Sequence, residues 1–295
     1  METAKSVPSG IVEISAGDRH YPSRLLNTRH PGAKRERLAR LYAWEGTNLD
    51  LLNAETTVAI VGSRSAPPEF LRYARKAGTY FGRRGLVVVT GGARGVDLEA
   101  LQGALESGGR AIVVLPMGLE CAEAIRFGRR FESYLTAGKL LVLSEQPPRE
   151  RWRARAAMAR NRLVVGLADA VLVIHTGLKH VHREVGKPRA FRSTSGNDEQ
   201  ASLRLSGTWN AAEQARKLGR ALWVLEGDVE GNRALISDTQ LNARRVNRNG
   251  NDFDFEEVLI DSFGREQRPL SSSSASELGS PESSGTQQVE LPLLE

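Results

Sequence analysis

The stretch from Leu86 to Leu115, LVVVTGGARGVDLEALQGALESGGRAIVVL, decides the fold. It opens on Leu86-Val87-Val88-Val89, a short β-branched run that is apolar at every position, as a strand covered on both faces must be. It closes on a second such run, Ala111-Ile112-Val113-Val114-Leu115. Between them Leu98, Leu101 and Leu105 recur at helical spacing. Strand, helix and strand in that order read as a right-handed crossover between parallel strands. Outward from this unit the pattern repeats. Val58–Val61, Leu140–Leu143, Ala170–Ile174 and Ala221–Leu225 are further apolar runs, and Phe70, Tyr73, Ala74, Ala77 and Phe81 mark a helix after the first of them. Six buried strands alternating with helices predict an α/β protein, Rossmann-like and doubly wound, with a mostly parallel sheet and helices on both faces.

In an open parallel sheet, ligands bind beyond the carboxyl ends of the strands. The segments expected on that rim are unusual. The first strand runs into Gly62-Ser63-Arg64, and the second into Gly91-Gly92-Ala93-Arg94-Gly95-Val96-Asp97. The fourth ends in Ser144-Glu145, and Ser206-Gly207-Thr208 stands just ahead of a helix. Glycines let the backbone approach a ligand, and unpaired N–H groups at a helix start favour anions. Arg64 and Arg94 add forked donors suited to phosphate, while Ser206 and Thr208 can cap the helix and donate to an anion. Arg160-Asn161-Arg162 ends a run that includes Arg151, Arg153 and Arg155. Arginines near a helix start oppose the helix dipole, and an external anion relieves that conflict. The bland alternative is a set of ordinary βα turns and a solvated helix face. Two Gly-rich turns, each carrying an arginine, favour phosphate binding over it.

Other chemistries lack their residues. There is no G-x-G-x-x-G and no G-x-x-x-x-G-K-[ST], so neither a dinucleotide cofactor nor ATP hydrolysis is expected. No Ser-His-Asp set can be placed, and no cofactor is expected. Of the rim carboxylates Asp97, Glu99, Glu145 and Glu213, Asp97 is expected to brace the Gly-rich turn and Glu213 to reach a bound ribose. Phe131 and Trp152 are the aromatic candidates for stacking on bases. The single Cys121 and five scattered histidines offer no metal-ligand spacing.

The net charge of +6 is uneven. From Arg265 onward two arginines face five glutamates, a net of −3, which leaves +9 on the preceding residues and suits a polyanionic partner. Residues 1–50 read as a polar leader packing on the main domain through Tyr21, Leu25, Leu26, Leu38, Leu41, Tyr42 and Trp44. Residues 51–264 read as the Rossmann-like domain, with 178–205 a mobile insertion. Residues 265–295, with Ser271–Ser274 in a row, read as a disordered tail. No apolar run approaches the roughly 20 residues of a membrane span. Met1–Gly17 lacks the apolar stretch of a signal peptide, so the cytoplasm is the expected compartment.

Taken in order, these segments resemble the DNA-processing protein A family, DprA/Smf. The likeness starts at Tyr21-Pro22 and Leu41-Tyr42-Ala43-Trp44-Glu45-Gly46. It continues through Val58–Arg64, Gly92–Asp97, Gly103-Ala104-Leu105, Ser144-Glu145, Arg160-Asn161-Arg162 and Ser206-Gly207-Thr208, roughly Tyr21 to Ile236 in all. The resemblance implies a Rossmann-like protein, usually dimeric, that binds single-stranded DNA, protects it and helps load a RecA-type recombinase in DNA uptake or recombination. It implies a DNA pocket at Ser63, Arg64, Gly92, Arg94, Arg160 and Arg162. This sequence departs from the family at Leu101, where histidine is common, and at Glu226-Gly227-Asp228, where Pro-Gly is usual. It also carries the acidic tail where a winged-helix-like domain is frequent. The wider superfamily includes LOG-type nucleotide phosphoribohydrolases and nucleotide-sensing domains. Gly207-Thr208-Trp209-Asn210-Ala211-Ala212-Glu213 is similar to the LOG G-T-x-x-E element, which makes a nucleoside-monophosphate hydrolase the alternative reading.

Overall fold

The computed structural model describes residues 10–26, 40–182, 203–250 and 252–264. The expected tail lies outside the described residues, as do 183–202 of the expected insertion and 1–9 and 27–39 of the leader.

The segment read as a leader supplies β1 (Ile11–Ile14), the short helix α1 (Ser23–Leu26) and β2 (Leu41–Trp44). Then come β3 (Thr57–Val61), α2 (Pro68–Arg83), β4 (Val87–Thr90), α3 (Val96–Glu106) and β5 (Arg110–Leu115). These are followed by α4 (Ala122–Arg130), α5 (Glu132–Thr136), β6 (Leu140–Ser144), α6 (Ala154–Ala159), α7 (Asn161–Gly166) and β7 (Ala170–Val173). Strands β8 (His180–His182) and β9 (Leu203–Leu205) pair antiparallel with each other, so the ends of the stretch expected to be an aperiodic insertion form a ribbon. The chain continues with α8 (Gly207–Lys217), β10 (Ala221–Leu225), α9 (Glu230–Ser237), β11 (Arg244–Val246), β12 (Arg248–Asn249), β13 (Asp252–Phe253) and α10 (Glu256–Phe263).

All six apolar runs are strands of one nine-stranded sheet, in the order β1-β2-β6-β5-β4-β3-β7-β10-β11. From β6 to β11 every pairing is parallel. Strands β2 and β1 add antiparallel at the β6 edge. The leader therefore completes the sheet rather than only packing on it. Leu41, Ala43 and Trp44 are buried there, and the open edge of β6 gains a backbone partner. A second clamp sits at the amino ends of the strands. Arg24 holds Asp169 through two bonds of 2.7 and 2.8 Å, and the same carboxylate accepts the Thr57 N–H at 2.9 Å.

Successive strand residues face opposite sides, so each strand feeds two cores. Val58, Ile60, Val88 and Val113 pack with Phe70, Tyr73 and Phe81 of α2 and with α3. Ala59, Val61, Val89 and Val114 pack on the other side with Val164 of α7 and Trp209 of α8. The chain steps from β3 outward to β4, β5 and β6, then returns to place β7 on the other side of β3. The strand order thus reverses between β3 and β7, and their carboxyl ends open a crevice at that point.

Candidate functional site

Two adjoining cavities occupy this rim. The larger, about 790 Å³, lies over the β3/β7 reversal and the start of α8, and includes Gly62, Ser63, Arg64, Ser206, Gly207 and Thr208 in its lining. The smaller, about 400 Å³, lies over the ends of β4 and β5 against Gly91, Gly92 and Arg94. Arg64, Ala93, Trp152 and Arg160 line both.

The floor is built around a buried charge pair. Arg160 is 5% exposed and Asp97 6%, with Arg160 Nη1 3.9 Å from Asp97 Oδ2. That is too long for a hydrogen bond. The Asp97 carboxylate lies against the backbone of both turns, where the N–H groups of Ala93 and Gly62 favour its charged form. Burial pushes the Asp97 carboxyl above its ordinary range, against the pull of the Arg160 charge. Burial likewise pulls Arg160 below the usual guanidinium range, which Asp97 opposes and Arg64 reinforces. Arg160 Nε is buried without a hydrogen-bond partner among the described residues. A guanidinium held this way lacks a full counter-ion, and an anion arriving in either cavity supplies one.

Glycine is required at two places here. A Cβ on Gly91 would lie 1.3 Å from Arg160 Nη1, so the β4 turn gives up its side chain to seat that guanidinium. Gly95 has φ +91°, and a Cβ there would also meet Ser63 O at 2.5 Å. Gly95 lines neither cavity; it is where the two turns touch, with the Val96 N–H donating to Ser63 O at 3.3 Å.

Arg160 joins α6 to α7 in helical conformation, and Asn161 Nδ2 donates to Gly207 O at 3.0 Å and Asn210 Oδ1 at 3.2 Å, fastening α7 to the start of α8. Arg162 is not brought to either cavity. Two residues further along a helix point about 200° away. Its guanidinium instead pairs with Glu145, whose side chain is nearly buried. Ser206 stands at the N-cap of α8 but makes no side-chain capping bond, contrary to the expected cap. Arg64, Arg94 and Arg155 have no ion pair among the described residues, and Arg155 lines the larger cavity.

The aromatic candidates separate. Trp152 is 46% exposed at the junction of the two cavities. Phe131 is 4% exposed and belongs to the core, where it packs on Phe127 at 5.0 Å. Phe127 lines the smaller cavity together with Leu115, Pro116 and Met117. These four escaped the sequence reading, although β5 ends on the same rim and its loop could have been included. Glu213 lines neither cavity; it pairs with Lys179 at 3.1 Å. Glu99 lines neither cavity and is held by Arg75 of α2 at 3.0 Å.

The model of the family described as DNA recombination-mediator protein A matches residues 13–180, which is more than half of the chain. The chain belongs to this family. It is the DprA/Smf family that the motifs resemble. Among its relatives, the DNA processing protein DprA of Streptococcus pneumoniae is 34% identical over 132 residues, 45% of this chain and 45% of that protein. Protein Smf of Escherichia coli is 32% identical over 169 residues, 56% of this chain and 42% of that protein. The chain thus spans less than half the length of these curated relatives. Among solved structures, DNA processing protein A of Streptococcus pneumoniae superposes with a TM-score of 0.60 at 26% identity, covering 81% of this chain and 72% of that one. The Helicobacter pylori protein, studied for its single-stranded DNA binding mode, superposes with a TM-score of 0.59 at 23% identity, covering 80% of this chain and 90% of that one. These likenesses agree with the α/β, mostly parallel architecture described above. Among the described residues, no helix is long and apolar enough to cross a membrane.

Proposed function

We propose that this family member binds single-stranded DNA, with Gly62–Arg64, Gly91–Arg94, Arg160, Asn161 and Ser206–Thr208 as the contact surface. The observation that carries the reading is Arg160. A nearly buried guanidinium whose Nε–H has no partner among the described residues, set between two open cavities, favours an anion as ligand. Around it stand Arg64, Arg94 and Arg155, the Ser206 hydroxyl and the N-terminus of α8. Such donors grip phosphates without reading sequence. Trp152 at the junction offers a face on which a base can stack. Arg162 leaves the contact set and acts as a brace for Glu145.

The family's recombination-mediator description supports a role in DNA processing, and protection of DNA with help in recombinase loading is the corresponding activity. A homodimer, a RecA-type partner and a cytoplasmic location complete the proposal. Binding rather than catalysis is favoured because Glu213, the acid a hydrolase would use, is tied to Lys179 outside both cavities.

Fluorescence anisotropy with a labelled oligonucleotide across a salt series tests the reading. Phosphate-led binding weakens steeply as salt rises. Absence of binding at low salt, or unchanged affinity when Arg64 and Arg94 are both replaced by alanine, sinks it. Incubation with nucleoside monophosphates, followed by chromatography for free base, checks the hydrolase alternative; no product is expected.

A further inference from the structure

Strands β7 and β10 part beyond Val173 and Val224, their last paired residues. The side chain of Asn232, on α9, bridges the gap. It is fully buried. Its Nδ2 donates to Ile174 O at 3.0 Å and to Leu225 O at 2.9 Å, and its Oδ1 accepts the Thr176 N–H at 2.8 Å. A primary amide supplies both the donors and the acceptor that this arrangement needs, whereas an aspartate lacks the donors. Gly231 beside it lets the helix come this close. A Cβ there would lie 2.1 Å from Thr176 O and 2.4 Å from Gly177 O. Asn232 lines neither cavity, but the turn that it holds, His175 to Gly177, reaches the larger one through Gly177. His175 O accepts the Ser63 N–H at 2.9 Å, which ties the turn to Gly62–Arg64. Gly177 O accepts the Trp209 Nε1–H at 3.0 Å, which ties it to the first turn of α8. Two segments of the proposed contact surface thus hang on one turn, and Asn232 grips its middle residue. Joining β7 to β10 would need only the bonds to Ile174 and Leu225; the bond to Thr176 is the one that reaches the site.

We propose that Asn232 is a positioning residue for DNA binding: through Thr176 it sets where the Ser63–Arg64 turn and the start of α8 stand around the larger cavity. This rests on the DNA-binding reading above. It adds a residue outside the contact surface on which the affinity depends.

The test follows two readouts on the full chain. One is the affinity for a labelled oligonucleotide. The other is the indole N–H resonance of Trp209 in proton–nitrogen correlation spectra, assigned by its loss in Trp209→Phe. Variants are compared under conditions where denaturation curves show them folded. Asn232→Ala should weaken binding about tenfold, as for one lost hydrogen bond to a charged group, and should move the Trp209 resonance. Trp209→Phe keeps an aromatic ring in the core but releases Gly177 O, and should weaken binding by a similar factor. Together the two should cost less than the product of their separate losses, since both free the same turn. Thr57→Val is the control. It removes bonds to Leu167 O and Asp169 at the amino end of β3, so it should lower stability while affinity and the indole resonance stay as they were. An Asn232→Ala protein that binds like the wild type, or that loses stability with the resonance unmoved, overturns the positioning role and leaves DNA binding intact. If Asn232→Ala does not fold, Trp209→Phe carries the test, and unchanged affinity there overturns the role. No binding by the wild-type chain at low salt overturns the DNA reading itself, and the positioning role with it.

Discussion

Two faces of this protein are rich in arginine, and they use it in opposite ways. One is the rim, with Arg64, Arg94, Arg155 and Arg160. The other is a groove of about 550 Å³ between α2 and the β13–α10 segment, lined by Arg72, Arg75, Lys76, Arg83 and Arg84. In the groove most cations are matched by acids. Arg75 meets Glu99 and Glu106, Lys76 meets Asp252 at 2.6 Å, and Arg84 meets Glu256 at 2.9 Å while lying 3.7 Å over the Tyr80 ring. On the rim, Arg160 is buried against one carboxylate that stays beyond hydrogen-bond reach, and the other three arginines form no ion pair among the described residues. Arginine density is therefore a poor guide to function. Unmatched arginine beside glycine turns and open volume is a better one, because the charge is left for a partner to complete.

The largest effect that would break this comparison concerns Arg160. Arg160→Ala strands Asp97 in the core, and losing one member of a buried pair costs about 3–5 kcal/mol. Chemical denaturation should show that loss, together with abolished oligonucleotide binding. Gly91→Ala is the companion variant. Its Cβ would collide with Arg160 Nη1, so DNA affinity should fall although no charge is removed. Unchanged affinity would show that the seat of the guanidinium is immaterial.

Next in size, Arg64→Ala with Arg94→Ala should weaken binding and reduce the salt slope by about two, since each lost phosphate contact removes roughly one. By contrast, Arg84→Ala breaks a partly exposed pair in the α2 groove and should cost about 0–1 kcal/mol of stability, with no change in DNA affinity. If the groove variant weakened DNA binding as much as the rim variant, the distinction drawn here would fail.

The smallest effects belong to single groups. Ser206→Ala should cost well below the usual ~1 kcal/mol of a lost N-cap, because the side chain makes no capping bond. His175 sits at the end of β7 against Phe70, with ring centroids 4.8 Å apart, and burial holds its pKa below the ordinary 6.5. The unfolded chain then binds the proton more readily than the native one. Stability from this group is full above pH 6.5 and falls as pH drops toward the native pKa. Thermal melts between pH 7.5 and 5 should show that slope, and His175→Gln should flatten it.

The rule for parallel sheets makes much of this candidate site legible in the sequence. Gly62–Arg64 and Gly91–Arg94 follow β-branched runs, so their place at the strand ends is a local consequence of sequence. Phe127 and Met117 went unnoticed because they come from an α4 and a loop whose only claim to the site is that β5 ends beside β4. Phe131 stands as a stacking candidate in the sequence because aromatic character alone does not say whether a ring is covered. Strands β1 and β2 at one end of the sheet and β11 at the other stay hidden for a related reason: short runs with polar neighbours carry little periodic signal.

What the sequence alone determined is the layered architecture. Six continuous apolar runs have nowhere to lie except inside a sheet covered on both faces, and the helices between them force that sheet to be parallel. What only the tertiary structure decided is which arginine is left uncompensated. Arg160 and Arg162 are two residues apart and identical in the sequence, yet helix geometry turns one onto Gly91 beside the crevice and the other onto Glu145. The carboxylates that answer them, Asp97 in the first turn of α3 and Glu145 just past β6, come from different elements, and no local pattern records that one stands 3.9 Å from its arginine.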